Sequence, residues 1–216
     1  MAATKNTKAT IRTSINAHAS IPAAEGITRA VSFSRYAARG FGTLYLVHAA
    51  RGLAAIEFDV DDARRAVGKK KGGKGEGEEV ACPEPLREAL DRYFRGEGER
   101  FEEIELEFSG TEFQLRVWEE LRRIPYGEVI TYGELAARIG SPNATRAVGN
   151  ANSKNPIPII IPCHRVVAGG MRIGGYTGGI RRKVDLLTLE GHEIDGDTVR
   201  RPKPGLFDAL GRSRPN

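Results

Sequence analysis

Residues 161–166 read Ile-Pro-Cys-His-Arg-Val and place a thiol directly beside an imidazole and a guanidinium. The thiolate is the nucleophilic form of cysteine, and an unperturbed thiol is mostly protonated at neutral pH, so activation requires a neighbouring base or cation. His164 and Arg165 are such neighbours. Because free cysteine is also among the most buried residue types, a structural role for Cys163 is the alternative that these residues leave open.

The residues before the thiol predict a short buried strand. An Asn-Pro-Ile-Pro segment at 155–158 leads into three isoleucines at 159–161. Prolines suit the boundaries of a strand, where the ladder needs no backbone N–H. The predicted strand would hold Cys163 rigidly.

Upstream, a capping box predicts a helix that starts after Thr111. Thr111 and Gln114 have the spacing of such a box, and an apolar stripe follows until Pro125 ends the helix. Trp118 lies in that stripe, so we expect it to be a core residue.

A pair of short helices is predicted next. Thr131 and Glu134 form a second capping box, which opens a helix that ends at Gly140. Residues 141–142, Ser-Pro, predict an N-cap and an N1 proline for a following helix that runs to about Ala151. Two short helices across a tight turn form a helix-turn-helix.

The first half of the chain predicts a small α/β lobe. Residues 43–48 and 53–59 have the pattern of a hairpin, residues 83–94 that of a helix, and residues 104–108 alternate as a strand. Residues 69–79, KKKGGKGEGEE, are charged and glycine-rich, which predicts a flexible surface loop.

Composition narrows the classes of protein. The chain has 216 residues, of which 40% are hydrophobic, and lacks both an apolar run of about 20 residues and a secretory signal. Two cysteines, Cys82 and Cys163, are too few for a disulfide framework, which favours a reducing compartment. The four histidines and two cysteines lack metal-ligand spacing, so we expect no metal.

Positive charge concentrates around the candidate thiol. The whole chain carries +5, whereas residues 125–183 contain eight basic and two acidic residues, a net charge of +6. A solvated basic face is the alternative, but this concentration is typical of a surface for phosphates. The basic residues are Arg138, Arg146, Lys154, Arg165, Arg172, Arg181, Arg182 and Lys183.

The region 113–191 contains FQLRVWEELRRIPYGEVITYGELA, RAVGNANSKNPIPIIIPCHRVV, GGYTGG and LLTLEG. In these segments the chain resembles the catalytic domain of the O6-alkylguanine-DNA alkyltransferases, also called methylated-DNA–protein-cysteine methyltransferases. The resemblance implies an α/β (α+β) fold, with a small ribonuclease H-like N-terminal lobe and a mostly helical C-terminal domain that carries a DNA-binding helix-turn-helix. We therefore expect the α/β lobe at 29–108 and a catalytic DNA-binding domain at 109–194. The Ala/Thr/Ser-rich composition of 1–28 predicts a disordered arm, and the Pro/Arg composition of 195–216 predicts a disordered tail.

The activity implied by this resemblance is repair of DNA by direct reversal. The alkyl group of O6-alkylguanine would pass irreversibly to the cysteine, once per molecule, after base flipping; the sequence leaves O4-alkylthymine open as a second substrate. No cofactor is implied. The expected partner is alkylated double-stranded DNA, bound by a monomer through the minor groove and without a membrane, in the cytoplasm (nucleoid) of a prokaryote or the nucleus of a eukaryote.

The resemblance also assigns catalytic roles. It implies Cys163 as the alkyl acceptor, His164 as its base through a water, Glu190 as the group that orients the imidazole, Tyr132 as the donor to the leaving base, and Asn155 as the hinge before the active-site strand. Without a partner, Glu190 would be unfavourable by about 0.3–1 kcal/mol, because it lies in the last turn of a predicted helix that Gly191 ends.

The residues implied to bind the flipped base are Val166, through its carbonyl together with that of Cys163, Tyr176 against the ring, and Thr177 through its backbone N–H near O6. Arg146 is implied to enter the base stack in place of the flipped nucleotide. The remaining predicted DNA-binding residues are Ala144, Thr145, Gly149, Ala151, Asn152 and Lys154.

Gly149 has an interpretation independent of the family. Within a helix it costs about 1 kcal/mol relative to alanine, so a reason for it is expected. Close approach of the backbone to DNA is one reason and tight packing against a neighbouring helix is the other.

Three other functions are compatible with parts of this pattern. A non-catalytic relative that binds lesions would carry another residue, commonly tryptophan, in place of Cys163. A helix-turn-helix regulator fused to repair would carry clustered cysteines in an added zinc domain, which this N-terminal region lacks. A cysteine hydrolase using Cys163 and His164 would need an oxyanion hole and a thioester that water can hydrolyse.

Overall fold

A computed structural model of the chain describes residues 9–13, 30–70, 73–74 and 78–200. The strands are β1 Ala9–Thr13, β2 Ser32–Ala38, β3 Gly42–His48, β4 Leu53–Glu57, β5 Lys69–Lys70, β6 Gly73–Lys74, β7 Glu78–Glu79, β8 Leu106–Gly110, β9 Ile130–Thr131, β10 Val166–Val167, β11 Glu193–Asp195 and β12 Thr198–Arg200. The helices are α1 Val60–Gly68, α2 Glu84–Phe94, α3 Glu112–Arg122, α4 Tyr132–Arg138, α5 Thr145–Ser153 and α6 Ile180–Leu189. The prediction of a mixed α/β fold is confirmed.

A six-stranded sheet organises the first half, with the order β1-β8-β4-β3-β2-β7. Strands β2, β3 and β4 form an antiparallel meander, so the predicted hairpin is confirmed, and β7 pairs with β2 in parallel. Strand β8 pairs in parallel with β4 and antiparallel with β1. Strand β2 was not predicted from the sequence.

The two faces of this sheet belong to different cores. Leu44 and Leu46 of β3 point into the main core, which continues through α2 into the second half of the chain. Val47, with the opposite orientation, packs with Phe33 and with Val67 of α1 in a smaller cluster. Successive side chains of a strand point to opposite faces of the sheet, which explains the two clusters. The helical half of the chain therefore packs against only one face of the sheet.

Both predicted capping boxes are present. The Thr111 hydroxyl accepts from the backbone of Gln114 at 3.2 Å, and the Thr131 hydroxyl accepts from that of Glu134 at 3.1 Å. In each box the third residue also bonds back to the N-cap backbone. Trp118 is buried as predicted, and its indole N–H donates to the carbonyl of residue 151 at 2.9 Å, which fastens α3 to α5.

The predicted start of α5 is wrong by three residues. Ser141 does not cap the helix; residues 141–144 form a turn in which the N–H of Ala144 donates to the carbonyl of Ser141 at 2.9 Å. Proline at the second position of a turn is favoured because its φ is already suitable, and this preference competes with the N1 position of a helix. Ala144 is therefore the N-cap, and α5 begins at Thr145 without a side-chain cap.

The prediction of a strand at 159–161 is also wrong. These residues are buried but irregular, and Ile159 has a φ of 78°. The N–H of Ile161 donates to the carbonyl of Ile157 at 2.9 Å, which closes a turn instead of a ladder. An apolar run predicts burial more reliably than it predicts a strand.

Three predicted flexible segments contain structure. Residues 9–13 of the predicted arm form β1, and the rest of 1–28 lies outside the described residues. Residues 69–79 include β5, β6 and β7. Residues 195–200 of the predicted tail belong to the β11–β12 hairpin. Val199 anchors this hairpin, since it is 2% exposed and packs in an apolar cluster. None of the helices in the described ranges is long and apolar enough to cross a membrane.

Candidate active site

The Cys163 thiol is held by a turn that Asn155 stabilises. The Asn155 side chain accepts from the N–H of Ile157 at 3.0 Å and donates to the carbonyl of Ile161 at 2.7 Å. Cys163 then begins a single 3-10 turn, and its side chain is 5% exposed. The two hydrogen bonds of Asn155 thus hold Cys163 in place, a role that the sequence predicted for the backbone hydrogen bonds of a strand.

His164, Arg165 and Glu190 form a buried ionic cluster behind this turn. The imidazole Nε2 of His164 lies 2.8 Å from Oε1 of Glu190. Arg165 donates its Nε to Oε2 of Glu190 at 2.9 Å and its Nη2 to Oε1 at 2.9 Å. Glu190 is the C-cap of α6, so these two side chains neutralise a carboxylate placed at the unfavourable end of the helix dipole.

The protonation states in this cluster have identifiable causes. Burial would raise the pKa of Glu190, but Arg165 and then His164 hold it well below its usual range. Burial lowers the pKa of His164, against the opposing effect of Glu190. A neutral imidazole that donates through Nε2 keeps a lone pair on Nδ1, and this buried atom has no partner among the described residues. His164 can therefore accept a proton at Nδ1.

The Cys163 thiol is protonated in the resting protein. Burial raises the pKa of this thiol to about 11, although Asn155 and Lys183 partly oppose the shift. Since a neutral thiol is a weak nucleophile, reaction requires a base at the moment of attack. The neighbouring His164 has the protonation state that this step needs.

Tyr93 was not predicted to belong to the site. It lies on α2, in the sheet half of the chain, and its hydroxyl donates to Oε1 of Glu190 at 2.8 Å. The hydroxyl oxygen of Tyr93 also lies 3.4 Å from Nε2 of His164. Burial, followed by the charge of Glu190, raises the pKa of Tyr93 well above its usual value, so it remains a neutral donor.

Lys183 was predicted only as a surface charge, which is wrong. It is fully buried on α6, and its Nζ donates to the carbonyl of Val166 at 2.6 Å and to that of Gly175 at 3.3 Å. Burial lowers the pKa of Lys183 to about 8, against the opposing effect of Cys163. The ammonium group thus fixes the carbonyl of Val166, the predicted acceptor for the flipped base, to the loop at Gly175.

A cavity of about 310 Å³ opens beside the thiol. This volume lies at the lower end of the range of about 300–1,000 Å³ for small-molecule sites. It is lined by the predicted catalytic residues Tyr132 and Cys163, the predicted substrate-binding residues Tyr176 and Thr177, and the predicted DNA-binding residues Gly149 and Asn152, together with Ser153 and Gly175. Burial and then Cys163 raise the pKa values of Tyr132 and Tyr176, so both phenols stay protonated.

The predicted DNA-binding residues divide into two groups. Thr145, Arg146 and Lys154 are exposed at the two ends of α5, and Ala144 is half-buried at the N-cap. Ala151 and Asn152 were also predicted to bind DNA, but they do not belong to this exposed surface. Ala151 is 3% exposed and packs in the core; Asn152 is buried, and its Nδ2 donates to the carbonyl of Cys163 at 3.4 Å.

Gly149 and Thr177 join α5 to the cavity. A Cβ on Gly149 would meet its nearest neighbours, atoms of the Tyr132 ring, at 4.0 Å, an ordinary contact, so packing does not require glycine there. The hydroxyl of Thr177 donates to the carbonyl of Ser153 at 2.8 Å and fastens the loop 174–179 to the end of α5.

Among the described residues, no cluster of three or more His, Cys, Asp or Glu side chains could hold a metal ion.

The basic surface is smaller than the sequence count implied. Arg165 is buried against Glu190, and Lys183 is buried beneath the loop, so neither can reach a phosphate. Of the eight basic residues in 125–183, the exposed ones are Arg138, Arg146, Lys154, Arg172 and Arg181, and Arg182 is half-buried.

Comparison with known proteins identifies the family. Residues 112–192 match the family described as 6-O-methylguanine DNA methyltransferase, DNA binding domain. A methylated-DNA–protein-cysteine methyltransferase of Mycobacterium leprae is 56% identical over 105 residues, which cover 49% of this chain and 63% of the relative. One from Mycobacterium tuberculosis H37Rv is 52% identical over 119 residues, covering 55% of this chain and 68% of the relative.

Solved structures extend the likeness across both halves. The crystal structure of Mycobacterium tuberculosis OGT in complex with DNA is 38% identical with a TM-score of 0.60, and the match covers 74% of this chain and 93% of that one. The O6-methylguanine-DNA methyltransferase of Pyrococcus kodakaraensis is 30% identical with a TM-score of 0.50, covering 74% and 99% of the two chains. The chain therefore belongs to the methylated-DNA–protein-cysteine methyltransferase family.

Proposed function

We propose that the protein repairs DNA by transferring the alkyl group of O6-alkylguanine to the sulfur of Cys163. The observation that carries the proposal is a buried thiol in the wall of a cavity, next in sequence to the His164–Glu190 pair, in a chain of this family. The cavity has room for a small ligand, and its phenols can donate hydrogen bonds.

The chemical step follows from the protonation states. The thiol proton passes through a water to Nδ1 of His164, and Glu190 stabilises the resulting imidazolium. The sulfur attacks the alkyl carbon, so a carbon–sulfur bond forms as the carbon–oxygen bond breaks. The electron pair of that bond stays on guanine, and Tyr132 supplies a proton or a hydrogen bond to the leaving base. A thioether remains, so each molecule reacts once.

DNA binding is assigned to α4 and α5, which we propose act as a helix-turn-helix in the minor groove. Arg146 is exposed in the first turn of α5, while Gly149 and Asn152 on the same helix reach the cavity. A base extruded from the stack could therefore enter the cavity while Arg146 fills the gap it leaves. Filling that gap offsets part of the unstacking cost of a few kcal/mol.

Two finer features belong to the same proposal. The β2–β4 meander with its parallel neighbour β7 supports a ribonuclease H-like lobe for residues 29–108. We also propose that the active species is a monomer.

Intact-mass measurement after incubation with a duplex that carries O6-methylguanine tests the proposal. We expect a permanent gain of one methyl group per chain, located on the Cys163 peptide. Cys163→Ser should retain binding to the alkylated duplex but gain no mass, because a hydroxyl ionises far less readily than a thiol.

Cys82→Ser is the matched control, because Cys82 is a half-buried thiol whose pKa is raised by burial. It should still gain one methyl group. Binding without any gain of mass in the wild-type protein would favour the non-catalytic lesion binder, and methylation of the Cys82 peptide would contradict the assignment.

A further inference from the structure

The loop 174–179 forms one wall of the cavity but has little stiffness of its own. Four of its six residues are glycines, and Tyr176 is its large side chain. Glycine-rich segments lose more conformational freedom on ordering than other segments do, so contacts from outside the loop must fix Tyr176. The Thr177–Ser153 hydrogen bond supplies one such contact, on the side of α5.

Phe58 supplies the contact on the opposite side. It follows β4 in the sheet half of the chain, and its ring centroid lies 6.4 Å from that of Tyr176. Arg182 of α6 covers the Phe58 ring at 4.7 Å and donates to the carbonyl of Gly178 at 2.8 Å. Phe58 is in turn backed by Phe41, at 6.3 Å.

Gly178 shows how closely this contact constrains the loop. A Cβ on Gly178 would lie 2.6 Å from Cε2 of Phe58 and 2.8 Å from Cε1 of Tyr176. Its φ is not in the positive region, so lack of space, and not backbone conformation, accounts for the glycine. The loop backbone thus passes between the two rings without room for a methyl group.

We infer that Phe58 is a positioning residue that sets how large an alkyl group the cavity accepts. It holds Tyr176 close to Cys163 from the sheet half of the chain, although it does not line the cavity itself. The inference rests on the proposed function and adds a determinant of its substrate range. Without the ring, Tyr176 can move outward, so a methyl group is held less well and a bulkier group gains room.

The test compares two rates in each variant: transfer from O6-methylguanine and from O6-benzylguanine in one duplex sequence, at saturating protein. For Phe58→Ala we expect the benzyl-to-methyl rate ratio to rise about tenfold, the scale on which apolar pockets distinguish groups of different size. The ratio does not depend on the folded fraction, because both rates come from one preparation. Phe58→Leu keeps apolar volume without the ring and should shift the ratio in the same direction by less.

Phe113→Leu is the matched control. Phe113 is also half-buried beneath an arginine, with the Arg116 guanidinium 5.8 Å from its ring, but among the described residues its ring does not contact Tyr176 as the Phe58 ring does. It should leave the ratio unchanged. The inference is overturned if both Phe58 variants slow the two reactions equally, or if Phe113→Leu shifts the ratio as much. Absence of any transfer by the wild-type protein would overturn the proposed function and this inference with it, whereas wild-type transfer with an unchanged ratio in both Phe58 variants would overturn this inference alone.

Discussion

Tyr93→Phe removes one oxygen atom from the ionic cluster without changing the ring that fills the core. The lost hydroxyl donates to Oε1 of Glu190 at 2.8 Å, the oxygen that also lies 2.8 Å from Nε2 of His164. The ring contacts with Phe101, at 5.5 Å, and with Tyr126, at 5.8 Å, should persist.

The size of the effect can be estimated from the contacts that remain. A hydrogen bond to a charged group contributes about 1.5–3 kcal/mol, and Glu190 keeps its bonds from Arg165, so we expect a loss of about 2 kcal/mol in the free energy of unfolding. The hydroxyl competes with the imidazolium for Oε1, so its removal raises the pKa of His164.

The pH dependence of methyl transfer separates this effect from general damage. Because a protonated His164 cannot accept the thiol proton, and burial lowers the pKa of His164, wild-type transfer should slow only as the pH falls below the usual pKa of histidine. In the variant this acid limb should move to higher pH. Within this shifted acid limb the variant should react more slowly than wild type, and at higher pH the two rates should converge.

Tyr126→Phe provides the control. The Tyr126 hydroxyl donates to the carbonyl of Leu189 at 2.9 Å, one residue before the carboxylate. Its loss should reduce stability without moving the acid limb. Equal slowing of Tyr93→Phe at every pH, or an equal shift in the Tyr126 variant, would refute the reasoning.

Three further predictions concern the surface and the thiol. Arg146→Ala should slow repair of duplex DNA much more than reaction with free O6-benzylguanine, which needs no extrusion; equal losses in a single-turnover assay would make Arg146 structural. With a pKa of about 11, Cys163 should react with iodoacetamide at a rate that climbs with pH, and a plateau near neutrality would contradict its burial. Filter-binding titrations of undamaged duplexes should show affinity that falls steeply with salt and depends little on sequence, since the minor groove offers a degenerate code; strong preference for one sequence with a shallow salt slope would favour a regulator.

The features that the sequence predicted well depend on neighbouring residues. The capping boxes at Thr111 and Thr131 each need a partner only three residues away, so their geometry is present in the local pattern. The wrong boundary at Ser141 has a local cause too, because Ser-Pro-Asn suits a turn as well as it suits a helix start.

The features that the sequence could not predict depend on distant contacts. Tyr93 meets Glu190 across 97 positions, and its place on an amphipathic helix predicts only burial. Lys183 reads as a surface cation in a basic stretch, because its two carbonyl partners are brought to it only by the folded turn and loop. A pattern of residue types contains neither of these contacts, whereas the family resemblance brought Glu190 and His164 together.

Helix α6 links the parts of the site that the chain keeps apart. Lys183 and Glu190 are seven residues apart, which is about two helical turns, so they lie on the same face. Lys183 fixes the carbonyls of Val166 and Gly175 beside the cavity, and Glu190 fixes the imidazole behind the thiol. A shift of α6 along its axis would therefore move the pocket wall and the base together. Because Tyr93 bonds Glu190, and Phe58 packs beneath Arg182 of the same helix, the sheet half of the chain restrains the helix on which the pocket wall and the imidazole both depend.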